Sequence, residues 1–162
     1  MSEHAVATQT RPRFVIFTVI AGAVAAVAAF TADSLSFPAW AMFVGWVAWF
    51  SRPASPVQGL HAMVCLWLGL VLAAAGQLLA GVLAPVTGAA ALPLAVFVLA
   101  LVVVGLRTTP VLNNMLAWFL GLIAFYAAHS NEIASTLLSL AAATAIGAAA
   151  GFACQRLQRQ FA

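Results

Sequence analysis

Phe37-Pro-Ala-Trp-Ala-Met-Phe-Val-Gly-Trp-Val-Ala-Trp-Phe-Ser51 is the stretch that decides the reading of this chain. It holds six aromatic residues, one proline, one glycine and no charge. Its 14 residues from Pro38 to Ser51 would rise about 21 Å as a helix, short of the roughly 30 Å hydrocarbon core of a bilayer. The stretch also has a second copy. Phe43-Val-Gly-Trp-Val-Ala-Trp-Phe50 aligns without a gap on Phe119-Leu-Gly-Leu-Ile-Ala-Phe-Tyr126, 76 residues downstream. Gly45 pairs with Gly121 and Ala48 with Ala124, and the other six pairs keep aromatic or aliphatic character.

The surrounding composition places this pair in a membrane. The 162 residues are 65% hydrophobic and 6% charged, against roughly 25% charged in a soluble domain. Too few ionic side chains are present to cover a solvated surface. No ten-residue alternation of polar and apolar positions indicates barrel strands. The expected class is therefore an all-α integral membrane protein.

Working outward, Phe14–Phe30 reads as a first spanning segment, with a small-residue face of Ala21, Gly22, Ala25, Ala26 and Ala29 suited to close helix packing. It matches Leu92–Leu106 at the same 76-residue offset. Pro38–Ser51 is the second, with Ser36 as the expected N-cap. Arg52-Pro-Ala-Ser-Pro56 breaks the chain before a third segment, Gly59–Leu83, and Ala84-Pro-Val-Thr-Gly88 reads as a turn. A fourth runs from Ala90 to Leu106. A fifth starts at Pro110 and ends at Ala128, and a sixth spans Ala134–Cys154 after the polar loop His129–Glu132. Residues 1–13 and 156–162 are read as cytoplasmic tails flanking one domain, 14–155, built of repeats 14–83 and 90–154.

Six spans with both termini cytoplasmic put Arg11, Arg13, Arg52, Arg107, Arg156 and Arg159 inside and Asp33 and Glu132 outside, as the positive-inside rule requires. Three spans per unit make the second enter from the opposite face, so the expectation is a 3+3 inverted-topology repeat. Transporters and channels often use that plan, with a path between the repeats near the midplane.

No paired carboxylates, nucleophile with a nearby base, phosphate-binding glycine loop or metal-ligand cluster is legible, so no enzyme, cofactor or metal is expected. The arginines are scattered singly or in pairs and make no nucleic-acid patch. Cys65 and Cys154 read as inert thiols in apolar runs. The polar groups at membrane depth are amides. Gln77 shares a face with Ala73, Ala80 and Ala84, and Asn114 one with Trp118, Gly121 and Phe125, while Asn113 points elsewhere and reads as capping or bonding the start of the fifth helix. The corresponding face of the second segment is Pro38, Met42, Gly45 and Trp49. Phe43, Gly45, Trp49, Gln77, Asn114, Trp118, Phe119, Gly121 and Phe125 are the candidate path residues. Each also has a packing alternative: interhelical bonding for Gln77, close helix contact for the glycines. Gly147 and Gly151 form a G-x-x-x-G face for helix contact within or between protomers.

The aromatic second segment, the Pro-containing loop and the Gly-Leu start of the third resemble the YcdZ-like family of small bacterial inner-membrane proteins. The order of six apolar segments and the chain length are similar too, over roughly residues 14–155. This chain carries Arg52-Pro-Ala-Ser-Pro56 where that family would have a glycine-rich loop. The resemblance implies an inner-membrane location and transfers no functional residues, since the family is a domain of unknown function. Two functions compete at this stage. The leading one is a channel or facilitator for small neutral solutes of urea or short-amide type, embedded in the lipid bilayer as a homo-oligomer. The alternative is a non-transporting scaffold or accessory subunit.

Overall fold

The structure, a computed structural model, describes residues 11–130 and 132–161. Among these every regular element is helical: α1 (Arg11–Ser34), α2 (Ala39–Phe50), α3 (Pro56–Thr87), α4 (Ala91–Gly105), α5 (Met115–Ala127) and α6 (Ile133–Gln160). Short 3-10 turns at Gly88–Ala90 and Leu106–Thr108 flank α4. Residues 1–10 of the expected N-terminal tail, Asn131 of the polar loop and Ala162 lie outside the described residues.

Arg13–Ser34, Pro56–Thr108 and Ile133–Gln160 are long and apolar enough to cross a bilayer. The middle stretch is bent: α4 folds back on α3, so that Leu99 lies against Gly76. The two short helices, α2 and α5, have 12 and 13 residues, which gives them only about 18–20 Å of length. The apolar character of these helices points to membrane association.

Several boundaries differ from the sequence-based expectation. α3 does not stop before Pro85. It runs through that proline to Thr87, and the chain reverses at Gly88, whose φ of 54° is open to a residue without Cβ. Proline ends fewer helices in apolar surroundings, where neighbouring groups make good the lost bond. α5 is not proline-started; Thr109–Asn114 is irregular and Asn114 is the N-cap. Asn113, expected to cap or bond the start of that helix, instead accepts a hydrogen bond from Arg52. Pro38 rather than Ser36 is the N-cap of α2, and α6 extends six residues past Cys154. Gly22 of α1 meets nothing within 4 Å. Of its neighbours in the small-residue face only Ala26 is exposed, Ala21, Ala25 and Ala29 being half-buried, and α1 is anchored by buried Ala28 and Ala32.

Two helix seams hold the bundle together, and each joins a short helix to a long one. In the first, α2 crosses α6: a Cβ on Gly45 would lie 2.0 Å from the Thr144 carbonyl oxygen, and one on Gly147 would lie 1.9 Å from that of Met42. In the second, α5 crosses α3, with Gly121 against Leu66 O at 2.2 Å and Gly69 against Trp118 O at 2.4 Å on the same construction. Backbones approach this closely only where both helices surrender a side chain. The seams correspond position by position. Met42 and Gly45 map onto Trp118 and Gly121, and Leu66 and Gly69 onto Thr144 and Gly147.

Candidate functional site

The seven expected path residues without an amide fall into three groups. Gly45 and Gly121 are consumed by the seams. Trp49, Trp118 and Phe125 are buried, with 5%, 4% and 3% of their surface exposed, and lie in the apolar core. Phe43 turns outward at 46% exposure, and Phe119 lines a groove of about 490 Å³ between α4 and α5. A second apolar groove, of about 360 Å³, opens between α3 and α6 beside Trp49 and Trp67.

Trp49 is not an interfacial anchor. Its ring is clasped between Gly59 of α3 and Gly151 of α6, where a Cβ would come within 2.7 Å and 3.0 Å. The indole N–H donates to Gln155 Oε1 at 3.1 Å, a bond inside the protein. Phe152 meets the ring edge-on at 5.8 Å. Sequence reading had put Gly147 and Gly151 on a contact face without naming their neighbours; both are used within the chain, against α2.

A polar knot closes one end of the bundle. Asn114 Oδ1 accepts from the Ala117 N–H at 3.2 Å, which caps α5, while its Nδ2 donates to Ser51 Oγ at 2.7 Å. Ser51 donates onward to Ala48 O at 2.6 Å. The end of α2 is thereby tied to the start of α5. Arg52 reinforces the link, donating to Gln58 Oε1 at 2.8 Å, to Val111 O at 3.2 Å and to Asn113. Arg159 donates to Ala54 O at 2.6 Å, and Gln158 to Phe17 O at 3.3 Å. Arg52 and Arg159 thus meet at the same end as the turn carrying Val111 and the beginning of α1. Sequence reading had used Arg52 only as a topology marker, because an arginine's acceptors in other loops leave no local pattern.

Asn114→Ala is expected to cost about 1–2 kcal/mol, the usual value of an N-cap plus part of a second bond. Asn114→Ser should restore the cap without reaching Ser51, and recover about half. Thermal unfolding of the purified protein in detergent reads both. Equal stability of all three proteins would show that the knot carries no energy.

The opposite end carries its own polar groups. Gln77 is half-buried and makes no hydrogen bond among the described residues. It lines a cavity of about 360 Å³ with Phe125, Tyr126, His129 and Ser130. A separate cavity of about 340 Å³ lies between the start of α2 and α6, beside Trp40, Ser135 and Ser139. Cys65 and Cys154 are buried free thiols. Among the described residues no three His, Cys, Asp or Glu side chains are grouped to hold a metal.

Residues 18–158 match the family described as Protein of unknown function (DUF1097). The chain belongs to this family. Membership fits a chain of apolar helices and assigns no chemistry to any residue. No curated protein and no solved structure matches the chain.

Proposed function

We propose that this is a multi-pass protein of the bacterial inner membrane, of the kind its YcdZ-like resemblance implies, and that it acts as a non-transporting scaffold or accessory subunit. In this reading six helices cross as a 3+3 inverted repeat, with the arginine-bearing end and both termini in the cytoplasm. The equivalence of the two seams supports the repeat, and the meeting of Arg52 and Arg159 at one end supports the orientation. The protein is neither an enzyme nor a nucleic-acid binder, and its partners are lipid and other membrane helices, further copies of itself among them.

One observation carries the reading. Gly45, Gly69, Gly121 and Gly147 are spent on backbone contact at the place where a path between repeats would run. Thr144, which lies in the α2–α6 contact, and Trp49, Trp118 and Asn114 nearby are all bonded within the protein. The facilitator reading keeps one specific support, the unbonded amide of Gln77 in its cavity.

Light-scattering flux measurements on proteoliposomes separate the two. Urea, acetamide and glycerol should cross no faster than in protein-free liposomes. Flux clearly above that baseline for any of them, reduced by Gln77→Leu, would overturn the scaffold reading and restore the facilitator.

A further inference from the structure

The equivalence of the seams exposes an asymmetry between the two ends of the bundle. Positions on α2 and α5 correspond at an offset of 76, and those on α3 and α6 at 78, as Met42/Trp118 and Gly69/Gly147 establish. Carried along each helix, these offsets place Phe125 opposite Trp49 and Gln77 opposite Gln155. In one seam, therefore, a glutamine amide accepts from an indole N–H at 3.1 Å and is buried. In the other the same glutamine faces a phenyl ring, which has no N–H to give. The amide is left without its partner, and the space beside Phe125 is a cavity of about 360 Å³. Packing around the rings differs in step. Trp49 is faced by Gly59 and Gly151, whose counterparts are Leu137 and Ala73.

The other groups lining this cavity have spare hydrogen-bonding capacity. His129 Nδ1 lies 2.8 Å from Ala127 O. A carbonyl only accepts, so Nδ1 carries a proton, and in the neutral tautomer that fits this contact Nε2 offers a lone pair. Ser130 Oγ accepts from the Glu132 N–H at 3.1 Å, leaving its own hydroxyl proton to donate. The Tyr126 hydroxyl makes only a long contact, 3.4 Å, to Ala73 O. A half-buried amide, an imidazole and two hydroxyls thus line one space beside Phe125.

We infer that the Gln77–Phe125–Tyr126–His129–Ser130 cavity is a binding site for a small uncharged amide, a molecule presenting an N–H donor and a carbonyl acceptor side by side. Gln77 pairs with both edges of such a group, giving its carbonyl an N–H and receiving one in return. Phe125, only 3% exposed, closes the floor of the site with carbon. The inference concerns binding alone and holds under either reading of function, because no passage through the seams is required.

The test uses the full chain in lipid nanodiscs, with glutamine side-chain nitrogens labelled and the Gln77 resonance assigned by its loss in Gln77→Leu. Acetamide is titrated through the millimolar range, and acetone, of nearly the same shape without the N–H groups, serves as the comparison. Acetamide should shift the Gln77 amide saturably, with acetone at least about tenfold weaker, the factor one lost hydrogen bond commonly brings. Ligand-observed saturation transfer should vanish in Gln77→Leu. Phe125→Trp, which offers Gln77 the indole that Gln155 already enjoys, should also abolish it. Equal response to acetone, no response to either probe, or undiminished transfer in Gln77→Leu would each overturn the site. If Phe125→Trp does not fold, the Gln77→Leu arm decides.

Discussion

Gly147→Ala is expected to be among the most damaging single-methyl additions in the chain, lowering stability by about 3 kcal/mol or more. The added Cβ would sit 1.9 Å from the Met42 carbonyl oxygen and 2.7 Å from the Trp46 nitrogen. Ordinary carbon contacts begin near 3.5 Å, so α2 and α6 would have to part by roughly 1.5 Å. Both atoms struck are backbone, and no rotamer change relieves the clash. Separation would also loosen Trp49 of α2, whose ring is clasped between α6 and α3. In a thermal scan the loss corresponds to a midpoint lower by roughly 6–12 °C. Gly81→Ala is the matched control: nothing lies within 4 Å of its new methyl, and alanine is up to about 1 kcal/mol better than glycine in a helix. A Gly147→Ala protein as stable as Gly81→Ala would refute the seam.

Trp49→Ala should cost a comparable amount, toward the upper part of the 3–5 kcal/mol range typical of a deleted core aromatic. The reason lies in the neighbours. Gly59 and Gly151 have no side chains that could collapse into the vacated space. Gln155, 9% exposed, would also lose its donor, and a buried acceptor left unpaired costs about 1–3 kcal/mol. Trp49→Phe separates these contributions, since it keeps most of the ring and removes the N–H. Combining Trp49→Phe with Gln155→Leu should cost less than the two single changes summed, because the orphaned acceptor is removed with the donor. Strict additivity in that cycle would mean that the 3.1 Å bond contributes nothing.

Much of the architecture was legible in the chain, and the reasons for the rest are specific. Length, charge scarcity and apolar runs gave a helical membrane protein, and the Gly45/Gly121 match gave two related short helices. The partners of those helices were hidden. Alanine-rich α6 presents small residues on several faces, and nothing local in Gly147 names Met42 as its neighbour. The Gln77/Gln155 equivalence was hidden for a different reason. The long helices correspond at 78 rather than 76, so a search at the offset of the aromatic stretch passes it by. The start of α5 was misplaced because Pro110 resembles a first-turn proline, whereas the capping side chain is Asn114. The cavity residues Tyr126, His129 and Ser130 gave no joint signal. Their meeting with Gln77 depends on α3 and α5 crossing, which is a tertiary fact.

The crossed pairing of the seams also has a consequence for biosynthesis. Leu66 and Gly121, which meet in the α3–α5 seam, are 55 positions apart, and both are available once α5 has left the ribosome. Gly45 and Thr144 are 99 positions apart. The short α2, made early, must therefore wait for α6, which follows it by about a hundred residues. Until then its glycine face and the unclasped Trp49 have no mate, so the nascent chain is most vulnerable to wrong association and to membrane proteases in that interval. Long-range closure of this kind is the slow step in assembling a fold, and here it falls to α6 to complete the first half.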